Sequence, residues 1–291
     1  MDKPQITQAM INAYDEYTHL SLDRRGFMEK LTKLAGSGAA AAAIMPLLAA
    51  NKASASQVAD TDERLKSGLV TYPGAGGDMK GYLVSPKAAD KPLPGVIVIH
   101  ENRGLNPHIE DVARRLALEG FLALAPDFLS PLGGTPENED TARDMFPKLD
   151  MATTVKNAEA SRVYLSTLKS TNGKVGAVGF CWGGGLVNQL AVASPKLGAG
   201  VAYYGAQPKT DQVAAIKAPL MLHYAGLDER INAGIDAFKA ALQANGQKPE
   251  IFIYDGVNHA FNNDTSSARY DKKAADLAWS RTIAFLKHNL A

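Results

Sequence analysis

Gly179-Phe180-Cys181-Trp182-Gly183-Gly184 sets a thiol between glycines at the spacing of a G-x-nucleophile-x-G elbow. A turn that sharp strains the backbone at the nucleophile and leaves no room for side chains two residues to either side. The residues before Cys181, Lys174 to Phe180, read as a strand, and Gly183 to Val192 read as a helix. A helix starting just after the sulfur aims its amide dipoles at it and favours the thiolate, the reactive form of cysteine. Cys181 is the one cysteine of the chain. It therefore has no intrachain disulfide partner and belongs to no multi-cysteine zinc site. A lone cysteine is by default a small buried apolar residue; the strand–elbow–helix setting argues instead for a nucleophile. No G-x-S-x-G occurs to offer a competing serine.

An activated nucleophile needs a base, and the base needs an orienting acid. On an open parallel sheet both belong in loops after the carboxyl ends of later strands, acid first and histidine last. Leu220 to Tyr224 runs into Ala225-Gly226-Leu227-Asp228, and Ile251 to Tyr254 runs into Asp255-Gly256-Val257-Asn258-His259. Asp228 is the expected acid, and Asp255 reads as a turn residue. His259 is the expected base, since His288 ends the terminal helix and His223 sits within a strand, where packing suits it. With Cys181 attacking an ester carbonyl, the oxyanion needs two amides. One is expected from Trp182 and the other from the loop near Asn102.

The elements that must position these groups alternate along the chain. Gly68 to Tyr72 and Lys80 to Val84 flank a Gly-rich turn and predict a β-hairpin. Gly95 to His100 is a continuous apolar run, as for a strand buried on both faces. Asn106 and Pro107 open a helix whose apolar positions Ile109, Val112, Ala113 and Leu116 share a face, with Gly120 closing it. Further strands are expected at 121–125, 199–204, 219–225 and 250–254, with helices at 152–168, 231–244 and 268–289. This alternation predicts an α/β fold: one doubly wound, mostly parallel sheet flanked by helices, over residues 56–291.

These segments together resemble the dienelactone hydrolase (carboxymethylenebutenolidase) family of α/β-hydrolases. The resemblance rests on His100-Glu101-Asn102-Arg103-Gly104-Leu105, Ala125-Pro126-Asp127, the Cys181 elbow, Gly226-Leu227-Asp228 and Asn258-His259-Ala260-Phe261, in the family's order and spacing. It implies hydrolysis of a small ester or lactone of dienelactone type without a cofactor. It also implies that Glu101 pairs with the cysteine and regulates thiolate formation, and that Asn102 supplies an oxyanion amide. Read from the residues alone, Glu101 is equally a solvated loop carboxylate. Family members hold a substrate carboxylate with two arginines. One corresponds to Asn263 here and the other lies near Arg143, with Arg103 and Arg269 as possible substitutes. A bidentate arginine is not replaced by asparagine at an anion site, which puts the dienelactone itself in question.

Residues 1–55 read as an export signal. Arg24-Arg25 precedes the chargeless, Ala-rich stretch Leu34 to Asn51, and Ala53-Ser54-Ala55 forms an A-x-A cleavage site. The pair resembles twin-arginine signals, with Asp23 where Ser or Thr is usual. Export machinery is thus an expected partner, the destination periplasmic or secreted, and the mature chain free of stable membrane insertion. The stretch is short and Pro46 interrupts it, which disfavours a membrane helix. The net charge of +1 and the absence of long basic runs argue against nucleic acid. His100, Glu101 and His108 are residue types that ligate metals, but the resemblance gives Glu101 another role and His108 suits a helix surface, so no metal is expected. A thioesterase or peptidase on the same scaffold is an alternative, as is a redox-sensing thiol protein without turnover.

Overall fold

The structure, a computed structural model, describes residues 5–49 and 56–291. Eight strands form one sheet in the order β1-β2-β4-β3-β5-β6-β7-β8. β1 (Leu65–Gly74) and β2 (Gly77–Pro86) are the expected hairpin, and β2 pairs antiparallel with β4 (Leu122–Asp127). β3 (Leu93–Ile99), β5 (Thr171–Phe180), β6 (Gly200–Tyr203), β7 (Leu220–Ala225) and β8 (Glu250–Tyr254) complete the sheet through parallel pairings.

The continuous apolar run of β3 is buried on both sides because helices cover both faces. Val96 and Val98 pack with Val112 and Leu116 of α4 (Pro107–Leu118) and Ile283 and Leu286 of α10 (Lys272–Leu290). Ile97 and Ile99 face the opposite core, built from α6 (Met151–Thr167), α7 (Trp182–Ala193) and α9 (Ile235–Ala244) through Leu165, Leu190 and Phe238. The alternation follows from the period of two along a strand. α4 starts as expected, the Asn106 side chain accepting from the Ile109 amide at 3.2 Å.

Three expectations are corrected. The helix expected from residue 231 is two, α8 (Glu229–Asn232) and α9, broken at Gly234. A Cβ on Gly234 would collide with the Gln207 side chain. The terminal helix starts at Lys272 rather than 268, because residues 263–270 close turns on themselves and Asp271 caps the helix through the Ala274 amide. His108 is buried rather than on a helix surface, its Nδ1 3.1 Å from an Asp264 carboxylate oxygen. A short helix, α5 (Glu139–Met145), was not expected at all.

The N-terminal segment folds as α1 (Gln8–Thr18), α2 (Arg24–Ala35) and α3 (Gly38–Leu48) around a small core of Tyr14, Tyr17, Phe27, Leu31 and Ile44. Asp23 is the N-cap of α2, its carboxylate accepting from the Gly26 amide at 2.7 Å, which gives the residue ahead of the arginine pair a structural reason. Among the described residues no single helix is long and apolar enough to cross a membrane; α2 and α3 meet that test only as a pair bent by 111°. The expected cleavage site, Ala53 to Ala55, lies outside the described residues.

Candidate active site

The site stands over the carboxyl end of the sheet, where β5 turns into α7. Cys181 occupies the turn at φ 55° and ψ −115°, a region costly for a residue with a Cβ. The flanking glycines are forced: a Cβ on Gly179 would overlap the Gly183 carbonyl, and one on Gly183 would overlap the carbonyls of Ile99 and His100. The Cys181 amide donates to the Tyr203 carbonyl at 3.0 Å and so ties the elbow to β6. The sulfur itself caps nothing in α7.

Asp228 follows β7 and His259 follows β8, as expected, and the two meet: His259 Nδ1 lies 2.5 Å from Asp228 Oδ2. Both side chains are buried. Asp228 is held below the usual carboxylate range, the His259 imidazole outweighing burial. His259 is raised well above its ordinary value; burial opposes the charge, but Cys181, Asp15 and Asp228 favour it more strongly. His259 Nε2 faces the sulfur within 4.8 Å but makes no hydrogen bond. His223, by contrast, is locked between Tyr254 Oη and Thr282 Oγ1 at 2.9 and 3.1 Å and is structural.

Sequence reasoning missed the group nearest the thiol. His19, one residue past α1, brings Nε2 to 3.3 Å from Cys181 Sγ. Its Nδ1 lies 2.8 Å from the Asp15 carbonyl and 3.3 Å from the Asp15 carboxylate. The rings of His19 and His259 meet edge to face with centroids 4.7 Å apart. The only signal in the sequence was a histidine within a segment read as a leader. Burial pushes the Cys181 thiol up, yet His259 and His19 together bring it down to about 6. His19, Cys181 and His259 are also the one trio of donors among the described residues close enough to hold a metal ion.

Glu101 is buried, with Oε2 accepting from Asn263 Nδ2 at 2.8 Å and Oε1 without a partner. The two residues are thus brought together, and the amide of Asn263 is committed to Glu101. His100 supports this loop: Nδ1 donates to the Glu101 carbonyl at 2.7 Å, Nε2 accepts from the Phe128 amide at 3.1 Å, and the ring stacks on Trp182. Asn102 Nδ2 donates to the Thr18 carbonyl at 2.5 Å. Trp182 opens α7, so its amide is among those a helix leaves free. A cavity of about 430 Å³ opens from Cys181, lined by Phe146, Trp182, Tyr204, Arg143 and Arg230 among others. Arg143 is buried in its wall, 2.6 Å from Asp144 and with its guanidinium 4.1 Å over the Tyr17 ring. Arg230 was not anticipated from the sequence.

An eight-stranded, mostly parallel sheet with a strained cysteine elbow and a carboxylate–imidazole pair beyond later strands defines an α/β-hydrolase. Residues 79–290 match the sequence profile of the dienelactone hydrolase family, and the chain belongs to it. A candidate carboxymethylenebutenolidase of Escherichia coli O157:H7 is 33% identical over 254 residues, covering 82% of this chain and 93% of the relative. A hydrolase fragment of Escherichia coli K12, YghX, is 48% identical over 112 residues, covering 38% of this chain and 96% of the fragment. The crystal structure of a candidate dienelactone hydrolase from Klebsiella pneumoniae has a TM-score of 0.69 at 30% identity, covering 77% of this chain and 98% of that one. The protein is therefore a hydrolase of this family. The family match begins at Met79, so α1 to α3 lie outside it.

Proposed function

We propose that the protein hydrolyses a small ester or lactone through Cys181, His259 and Asp228 by way of an acyl-thioester. The observation that carries this reading is the 2.5 Å contact between His259 Nδ1 and Asp228, with Nε2 turned to the sulfur of a strained elbow. The thiolate attacks the carbonyl carbon and a C–S bond forms. The oxyanion collapses, the C–O bond breaks, and the leaving alkoxide takes a proton from the His259 imidazolium. Water then attacks the thioester carbon and gives a proton to His259, and the C–S bond breaks with its electron pair going to sulfur, releasing the carboxylic acid and the thiolate. The Trp182 amide and the loop at Asn102 are the proposed oxyanion donors; removing one such donor costs on the order of 10²–10³ in kcat.

The cavity walls point to the substrate class. Phe146, Trp182, Leu186 and Tyr204 provide an apolar body, while Arg143 and Arg230 put guanidinium groups at the same cavity. A compact aromatic or alicyclic ester bearing a carboxylate fits that combination. Asn263, bound to Glu101, takes no part in this anion site. The test is a panel of neutral p-nitrophenyl esters, carboxylate-bearing lactones, thioesters and peptides. Wild type is expected to favour the anionic lactones, and Arg230→Ala to raise KM for these by about tenfold while sparing neutral esters. Equal losses on both classes would contradict the anion site.

We further propose that the arginine pair is read by twin-arginine machinery, which carries folded proteins out of the cytoplasm. Arg24 and Arg25 begin α2 at the protein surface, which supports that reading.

A further inference from the structure

We propose that His19 is a catalytic residue: a second imidazole that holds Cys181 as the thiolate while His259 alone carries protons to and from substrate. The proposal rests on Cys181 being the nucleophile. Its warrant is a division visible in the geometry. The hydrogen bond to the sulfur comes from His19 Nε2 at 3.3 Å, while His259 Nε2 makes none; both rings line the cavity at Cys181.

His19 has what an imidazolium requires. Its Nδ1–H donates to the Asp15 carbonyl at 2.8 Å, with the Asp15 carboxylate at 3.3 Å. Like the Asp228–His259 pair beside it, His19 thus has an aspartate at the nitrogen turned away from the sulfur. His19 also sits at the C-cap of α1, whose negative end favours a cation, while Cys181 sits at the N-cap of α7, whose positive end favours an anion. Two helix ends of opposite sign thus flank one ion pair. The His19 pKa is raised, the Cys181 thiolate and Asp15 outweighing burial and the repulsion of the neighbouring His259 imidazolium.

α1 is fixed where it delivers this side chain. Asn102 Nδ2 bonds the Thr18 carbonyl, the Arg143 guanidinium covers the Tyr17 ring and the Arg269 guanidinium covers the Tyr14 ring at 5.1 Å. The other groups that bear on the thiolate are few. His259 favours it, and Asp228 acts through His259. Arg269 lies 4.0 Å from Asp15. Glu101 and Arg103, in the loop after β3, line a small pocket with Cys181, while Arg143, Arg230 and Tyr204, the last kept neutral by burial, line the main cavity with it.

The protons balance with His19 as a spectator cation. In the resting site Cys181 has lost its proton and both imidazoles are protonated. Acylation uses the His259 proton to release the alkoxide, and deacylation returns one from water. His19 keeps its proton throughout, its charge matched by the thiolate in the resting site and by the Asp15 carboxylate, 3.3 Å from Nδ1, while the sulfur is acylated.

The experiment is the pH dependence of iodoacetamide alkylation and of ester hydrolysis for the full chain, His19→Gln, Asp15→Asn and Cys181→Ala. His19→Gln should move the midpoint of alkylation up by about one unit or more, toward the ordinary thiol near 8.5, and cut hydrolysis at neutral pH by about tenfold. Alkylation should approach the wild-type rate toward about pH 9, where bulk base ionises the thiol; a merely structural loss would persist there. Asp15→Asn, which keeps the shape of α1, should shift the same midpoint in the same direction by less. If both variants titrate like wild type while Cys181→Ala is inactive, the role of His19 is overturned and the nucleophile stands. If Cys181→Ala still hydrolyses esters, the nucleophile itself is wrong. The proposal also requires a retained arm: the intact mass of the protein from its native host should include His19, and a native N-terminus near residue 56 overturns it.

Discussion

At the residue scale, the central balance is between burial, which opposes charge, and partners that restore it. Cys181 is buried, which alone would raise its pKa, yet two imidazoles bring it to about 6. Burial likewise opposes charge on His259, and Cys181, Asp15 and the Asp228 hydrogen bond together raise its pKa well above the ordinary value. The rate is then expected to rise with pH as the thiolate forms near 6 and to fall above neutrality as His259 loses its proton. Asp228→Asn removes the anion that stabilises the imidazolium, so the alkaline limb of kcat/KM should move to lower pH. The turnover number should drop by a factor on the order of 10²–10⁴, since the tautomer is no longer fixed. An unchanged alkaline limb would contradict the assignment. Cys181, Asp228 and His259 were legible because the elbow has a glycine signature and the other two have fixed places in strand order. His19 was not, because its approach to Cys181 is made by docking of a separate segment, and neither spacing nor periodicity encodes docking. Asn263 was legible only as the loss of an arginine; its bond to Glu101 crosses from the loop after β8 to the loop after β3.

At the scale of elements, the sheet was read well because buried parallel strands are continuous apolar runs bounded by turns. β3, β5, β7 and β8 fall within a few residues of expectation. Helix ends were less legible where a tertiary contact decides them, as at Gly234 against Gln207. α5 escaped because seven residues are too few to show a period. α2 illustrates two demands on one stretch of chain. Its first turn presents the arginine pair, with Asp23 as N-cap, while Phe27 and Leu31 are buried against α1 and α3. Replacing Arg24 and Arg25 by lysine leaves the cap and the buried face intact. Twin-arginine export is expected to fail in that variant, with the protein retained in the cytoplasm on cell fractionation. Unchanged recovery from the periplasm or medium would reject the export proposal.

At the scale of the whole molecule, the end of α1 reaches the carboxyl end of the sheet, where His19 and Leu20 line the cavity at Cys181. This N-terminal segment lies against Cys181, joined to the hydrolase domain by Asn102, Arg143, Arg269 and the Arg24–Asp140 ion pair at 2.6 Å. The fold class of residues 56–291 was legible from alternating elements, but this arrangement was not, since an Ala-rich segment with an A-x-A site reads as an address in isolation. Everything proposed for the cavity and its two imidazoles depends on Cys181 forming a covalent acyl intermediate. The most direct measurement is an acid quench of the full chain during the first turnovers of p-nitrophenyl acetate, followed by peptide mass analysis. An acetyl group is predicted on the peptide carrying Cys181, formed with a burst of p-nitrophenol; a burst with the acetyl on any other residue, or turnover with no acyl-enzyme at all when deacylation is slowed at low pH, would contradict it.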